Sequence, residues 1–174
     1  MIPTHNSTFV MNLAIKQTSP VAIFSLELTR HALAAHAIAM CARIDGMRLA
    51  RKLLAIPEWE CVAQAVTQLG DQSVYLVESV STLTQVHAWS RRLRDQYGVK
   101  LVVVDYLQLL ADVRAKDQQH EMALITRGLK RMAEQLDVVV IGVSQLNRAP
   151  EARGAKRPHL SELRGSGALD QTAG

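Results

Sequence analysis

The chain has 174 residues, of which 48% are hydrophobic and 21% charged, with a formal net charge of +4. That length can bury a core as one domain, and that apolar content excludes a disordered chain. No apolar run approaches the roughly 18 residues of a membrane span, and the first residues lack the charged-then-apolar build of a secretory signal.

The first predicted element is a helix that opens at Ser7, after a short polar turn, Thr4-His5-Asn6. Phe9, Leu13 and Lys16 fall three to four apart along it. A helix that opens on Ser-Thr can grip a phosphate with its free N–H groups and its dipole. The phosphate-loop pattern is G-x-x-x-x-G-K-[ST], and here His5 and Asn6 stand where its Gly and Lys belong. Four apolar, β-branched runs then read as strands covered on both faces: residues 21–25, 74–77, 101–104 and 138–143. Residues 30–43 are alanine-rich and helical, with Thr29 as N-cap. Pro57 suits the first turn of the next helix, with Trp59, Val62, Val66 and Leu69 on one face. Thr82 and Gln85 fit a capping box, followed by Val86, Trp89, Leu93 and Tyr97 at helical spacing. Residues 119–136 place Met122, Ile125, Leu129, Met132 and Leu136 on one stripe. All these stripes are expected to be core. Residues 147–158 are polar, basic and punctuated by Pro and Gly, and read as a long loop. Cys41 and Cys61 lack any CxxC pairing and read as buried thiols of a reducing compartment, which places the chain in the cytoplasm. The histidines show no metal-ligand spacing, and His31 and His36 read as ordinary helix residues.

Strands alternating with helices predict an α/β fold with a mostly parallel sheet and right-handed crossovers. Three strands end on their carboxyl side in a chemically capable group: Glu27, Asp105, and Ser144-Gln145. In an open parallel sheet those ends share one edge, where ligands bind. A single Asp after a strand is as often a helix cap or turn former; three such groups converging favour a site. The chemistry they suggest is phosphoryl transfer. VVVDY has the form of a strand whose Asp holds the Mg²⁺ shell beside the phosphates. Glu27 could deprotonate an attacking water, and the Gln145 amide could report the γ-phosphate.

Taken together, VAIFSLEL, VVVDYLQLL, VIGVSQLNR and KRPHLSELRGSGALDQ resemble the C-terminal RecA-like motor domain of replicative DNA helicases of the DnaB family. The resemblance runs from Phe9 to about Ala173 and implies a RecA-like P-loop NTPase core with helices on both faces of the sheet. It implies ATP and Mg²⁺ as cofactors. It implies Glu27 as the catalytic glutamate and Gln145 as the γ-phosphate sensor. His5, Asn6, Ser7, Thr8 and Asp105 become the nucleotide-binding positions, with Ser7 and Asp105 toward the metal. Arg164, Gly165, Ser166 and Gly167 match a loop that touches single-stranded DNA. The glycines there also admit close backbone approach to an anion, and Arg164 supplies a phosphate-pairing cation.

The family implies a homo-hexamer that hydrolyses ATP between subunits and moves 5′ to 3′ on single-stranded DNA. A primase and a helicase loader would be partners, and no membrane is involved. The chain would then be a single motor domain over residues 1–174, incomplete at both ends. Departures from the pattern are His5 and Asn6, Gly165 where an acidic residue is usual, and Thr172 likewise. Without the Gly and Lys, ATP hydrolysis and a stable ring are not expected of this chain alone. Two alternatives stay open: a degenerate RecA-like DNA-binding module without ATP turnover, and another RecA-like ATPase such as a recombinase mediator.

Overall fold

The structure, a computed structural model, describes residues 5–110 and 118–144. Four parallel strands form the sheet: β1 Val21–Ser25, β2 Val74–Val77, β3 Leu101–Asp105 and β4 Val139–Val143, in the spatial order β2-β1-β3-β4. Six helices accompany it among the described residues: α1 His5–Ile15, α2 Arg30–Ala42, α3 Gly46–Ala50, α4 Ile56–Gly70, α5 Leu83–Tyr97 and α6 Gln118–Leu136. The chain steps from β1 outward to β2, then returns past β1 to β3. The reversal therefore lies between β1 and β3, which is where open α/β sheets place their ligand crevice.

Successive strand residues point to opposite faces, and the core divides accordingly. Ala22, Phe24, Val102 and Val104 pack on one face with Val86 and Leu93 of α5 and the stripe of α6. Val21, Ile23, Leu101 and Val103 pack on the other with Val10, Met11 and Ala14 of α1 and Leu33 and Ala37 of α2. The result is a three-layer sandwich with helices on both faces, as expected. All five residues of the expected α6 stripe are buried, from Met122 to Leu136. Thr29 caps α2, its hydroxyl accepting from the Ala32 N–H at 3.3 Å. Thr82 caps α5 by accepting from the Gln85 N–H, but the Gln85 side chain returns to the Ser81 N–H, one residue before the cap.

Several expectations are corrected. α1 begins at His5, so His5 and Asn6 belong to the helix and not to a preceding turn. Neither residue bars helical dihedrals, and no Gly or Pro interrupts 5–15. The inward stripe of α1 is Ser7, Val10, Met11 and Ala14, at i, i+3, i+4 and i+7, while Phe9 is 65% exposed. β1 and β3 are buried throughout, but β2 and β4 are only partly covered, and Val139 is 62% exposed. These two are the outer strands among the described residues, so each has one neighbour fewer. On α4 the only fully buried residue is Ala65; Trp59 and Val66 are exposed, so only part of that stripe is core, Leu69 packing against the cluster beneath it. The helix rests mainly on α2 instead of the sheet, leaving an apolar cavity of about 230 Å³ among Met11, Ile38, Val66, Leu69 and Leu76. Trp89 and Tyr97 of α5 also lie at the surface, Tyr97 stacked on Tyr75 and Trp89 beneath the Arg92 guanidinium. Cys61 is exposed and Cys41 half-buried, so neither is a buried core thiol.

Gly128 sits in the middle of α6, where glycine costs about 1 kcal/mol relative to alanine. Its reason is contact: a Cβ there would collide with the Leu83 side chain of α5. The Leu83 methyl must turn aside to admit a Cβ, so Gly128→Ala is expected to gain less than the ~1 kcal/mol of its helix propensity. Urea unfolding checks this; a gain of the full amount would mean that the Leu83 side chain does not crowd residue 128.

Candidate functional site

Among the described residues four polar side chains are buried, Ser7, Ser25, Ser90 and Asp105, and three of them meet at the carboxyl edge of β1 and β3. Asp105 ends β3 and is the register partner of Ser25 at the end of β1. Ser7 reaches the same point from the first turns of α1. Its Oγ donates to Asp105 Oδ2 at 2.8 Å. The sequence dictates this meeting in two ways. Four apolar residues hold β3 in the sheet until Asp105 emerges at its end. The buried stripe of α1 carries Ser7 as its first member, so packing the helix delivers the hydroxyl inward.

The electrostatics follow from burial. Desolvation disfavours the ionised carboxylate and pushes the Asp105 carboxyl above its usual value, while the Ser7 hydrogen bond offsets part of that rise. A carboxylate with a hydroxyl beside it, short of water, is a suitable partial shell for a hard divalent cation. No cluster of three His, Cys, Asp or Glu side chains occurs among the described residues. A cation here would therefore need ligands from a bound phosphate and water as well.

The turn after β1 is pinned on three sides. The Leu26 N–H donates to the Asp105 carbonyl at 2.9 Å, tying it to β3. Ser25 Oγ donates to the Leu28 carbonyl at 2.8 Å and accepts from the Leu28 N–H at 3.1 Å, closing the turn on itself. Glu78, just past β2, accepts from the Arg30 N–H at 2.8 Å and pairs with its guanidinium at 3.1 Å. Glu27 stands within this fixed turn and is exposed to solvent at the edge. Behind Ser7, Thr8 Oγ1 and His36 Nε2 of α2 form a 3.0 Å hydrogen bond, and Asn12 contacts Met40 Sδ at 2.9 Å. Burial lowers the His36 pKa, favouring the neutral ring.

Of the expected site residues, the structure brings Ser7 and Asp105 into contact and sets Glu27 on the turn fastened to Asp105. Thr8 joins α1 to α2. His5 and Asn6 lie in the first turn of α1. Gln145, Arg164, Gly165, Ser166 and Gly167 lie outside the described residues. Sequence reasoning passes over Ser25, Glu78 and His36. A serine at a strand end and a carboxylate just past the next strand are available signals for the first two. The Thr8–His36 pair spans 28 residues and has no local signature.

The raised Asp105 pKa has a definite sign. The native carboxyl keeps its proton to higher pH than the unfolded one. Stability therefore falls as pH rises from the unfolded value, about 3.9, through the folded value. Asp105→Asn removes this titration and keeps an oxygen to accept from Ser7. The variant is expected to be the more stable protein at neutral pH, with the difference fading as pH drops below about 3.9. Urea titrations across pH measure it; a variant no more stable than the parent at neutral pH contradicts the burial argument.

A family profile described as DnaB-like helicase C terminal domain matches residues 4–174. The Replicative DNA helicase DnaB of Mycobacterium intracellulare is 36% identical over 179 residues, covering 99% of this chain and 31% of its own length. That of Haemophilus influenzae is 38% identical over 177 residues, covering 96% and 38%. The chain thus spans roughly a third of the length of these curated relatives. Among solved structures, one described as an ATPase domain superposes with a TM-score of 0.87 at 31% identity, covering 96% of this chain and 62% of that one. A second, "The Structure Of A DnaB-Like Replicative Helicase And Its Interactions With Primase", superposes with a TM-score of 0.88 at 31% identity, covering 98% and 43%. With the parallel sheet, the RecA-like layering and the Ser7–Asp105 contact at its switch point, these matches settle the relationship: the chain belongs to the DnaB-like helicase C-terminal domain family.

Proposed function

We propose that this domain is the nucleotide-driven motor part of a replicative DNA helicase, with the crevice beside β1 and β3 as its ATP site. The observation that carries the reading is the buried hydrogen bond between Ser7 and Asp105. It joins a helix N-terminal hydroxyl to a strand-end carboxylate, which are the two protein groups a phosphate-bound Mg²⁺ needs in a P-loop NTPase. Ser7 and Asp105 would hold the cation, and the first turn of α1 would face the phosphates. A magnesium ion bound there supplies charge neutralisation for a transferring phosphoryl group. Glu27, exposed on its pinned turn, is the general base that orients water, and Gln145 senses the γ-phosphate. Arg164, Gly165, Ser166 and Gly167 contact the backbone of single-stranded DNA, giving binding that is salt-dependent and nearly blind to sequence.

In the assembled protein we place this domain in a homo-hexameric ring that unwinds duplex DNA 5′ to 3′ in the cytoplasm, alongside a primase and a loader. The solved relative described with its primase interactions supports the primase as a partner. Among the described residues no helix is long and apolar enough to cross a membrane.

His5 and Asn6 favour a second reading. They stand where the phosphate loop needs Gly and Lys, so β- and γ-phosphate charge is left without its cation. A degenerate DNA-binding module that keeps the fold without ATP turnover fits that substitution. The same two residues lead us to propose that this chain alone hydrolyses ATP barely, if at all.

His5→Gly with Asn6→Lys is expected to tighten binding of Mg²⁺·ATP at least about tenfold, by restoring a charge-assisted contact to the phosphates. Fluorescent-nucleotide titration of parent and double variant measures this. No gain in affinity would remove residues 5–8 from the phosphate site and favour the second reading.

A further inference from the structure

The turn that presents Glu27 is closed by one hydroxyl used in both of its hydrogen-bonding roles. Ser25 ends β1 and is only 5% exposed. Its Oγ donates to the Leu28 carbonyl at 2.8 Å and accepts from the Leu28 N–H at 3.1 Å. One atom thus satisfies both main-chain groups of a residue three further on. The side chains flanking Glu27 are anchored in opposite layers. Leu26 packs against the cluster that holds Phe24 and Val104. Leu28 is buried with Leu33 and Ala37 in the cluster on the other face. The turn therefore straddles the edge of the sheet, and Glu27, between the two anchors, is left at solvent.

The two leucines fix where the turn sits, but apolar contacts carry no direction. The bonds from Ser25 do carry direction, and they close a ring of backbone with Glu27 inside it. Serine is the smallest side chain that offers a donor and acceptors on one atom. Ser25 is also the register partner of Asp105, so the residue that closes the turn stands level with the buried carboxyl on the next strand.

We propose that Ser25 is a positioning residue for Glu27: its hydroxyl sets the angle at which that carboxylate is presented to the crevice beside Asp105. The inference rests on the reading of Glu27 as the general base. A catalytic group must be held to within about 0.5 Å of its productive place, and an exposed glutamate has no packing of its own to hold it. Past Leu28 the chain is held independently, by the Thr29 cap of α2 and by Glu78 on Arg30. Loss of the Ser25 hydroxyl would therefore loosen residues 26–28 and leave α2 in place.

The test uses the full 174-residue chain. Ser25→Ala removes one oxygen and is expected to quicken exchange of the Leu28 amide hydrogen about tenfold, with the amides of β3 unchanged. Ser25→Thr keeps the hydroxyl and is expected to leave that exchange near the parent's. The functional arm is a binding measurement in the His5→Gly/Asn6→Lys background. It compares Kd for Mg²⁺·ADP with Kd for Mg²⁺·ADP plus aluminium fluoride, which mimics the phosphoryl group under attack by water. Glu27→Ala is expected to narrow that ratio about tenfold, by removing the group that holds the water. Ser25→Ala is expected to narrow it about fivefold while leaving the ADP affinity in place, and to have no further effect when combined with Glu27→Ala.

A merely structural contact would weaken both complexes together and would act alike with and without Glu27. Unchanged Leu28 exchange in Ser25→Ala overturns the proposal, as does exchange equally fast in Ser25→Thr. Quickened exchange with an unchanged ratio overturns the positioning role, and so does an equal effect of Ser25→Ala on top of Glu27→Ala. If Glu27→Ala itself leaves the ratio unchanged, the general-base reading has failed and the positioning role falls with it. If the background binds neither complex, it is the phosphate-site reading that has failed, and the role falls with that.

Discussion

A single hydrogen bond between residues 98 apart, Ser7 to Asp105, organises the functional edge of this domain. Both side chains are nearly inaccessible to water, so losing the Ser7 hydroxyl would leave the buried Asp105 carboxyl without this hydrogen bond. The bond can form only if α1 is rotated correctly against the sheet and β3 runs to its full length. Hydrophobic burial supplies both conditions. Val10, Met11 and Ala14 set the rotation of α1, and Leu101 to Val104 set the depth of β3. The site is in this sense a by-product of the core, with one hydroxyl and one carboxyl placed at the ends of otherwise apolar stripes.

What the core places, the backbone then extends. The bond from the Leu26 N–H to the Asp105 carbonyl makes the Glu27 turn and the end of β3 one body. Ser25 and Glu78 close the remaining freedom of that turn. Glu27 and Asp105 are therefore poor candidates for relative motion, since moving one would break ladder hydrogen bonds as well as the turn. Burial makes the ionised form of Asp105 unfavourable, because its carboxyl is kept from water and the Ser7 hydroxyl offsets only part of that cost.

Much of this is legible in the sequence, and the exceptions share a cause. The positions of the four strands, the α6 stripe and the N-caps at Thr29 and Thr82 depend on local periodicity and local hydrogen bonds, and they lie where the sequence predicts, though β2 and β4 are less covered than expected. Asp105 and Glu27 stand out because each follows an apolar run at its carboxyl end. Periodicity also gives α4 an apolar face, but it cannot say what covers that face; α4 packs on another helix, so Trp59 and Val66 face solvent. The same limit misplaces Phe9, since α1 offers apolar residues on more than one side and only the sheet decides which is inward. Ser25 and His36 act through partners that tertiary structure alone brings near. The polarity of His5 and Asn6 suggests a turn, yet polarity is also what a helix N-terminus shows.

The placement of Ser7 on the inward stripe of α1 has a consequence for genetics. Val10, Met11 and Ala14 touch no ligand in any reading of this domain, yet they fix the angle at which the hydroxyl is presented. Substitutions that shift their packing by even a methylene turn the helix and swing Ser7 away from Asp105. In a saturation mutagenesis screen scored on nucleotide binding in the His5→Gly/Asn6→Lys background, these three positions should cluster with the site residues and resist classification by burial alone. Alleles there should be temperature-sensitive before they are unfolded.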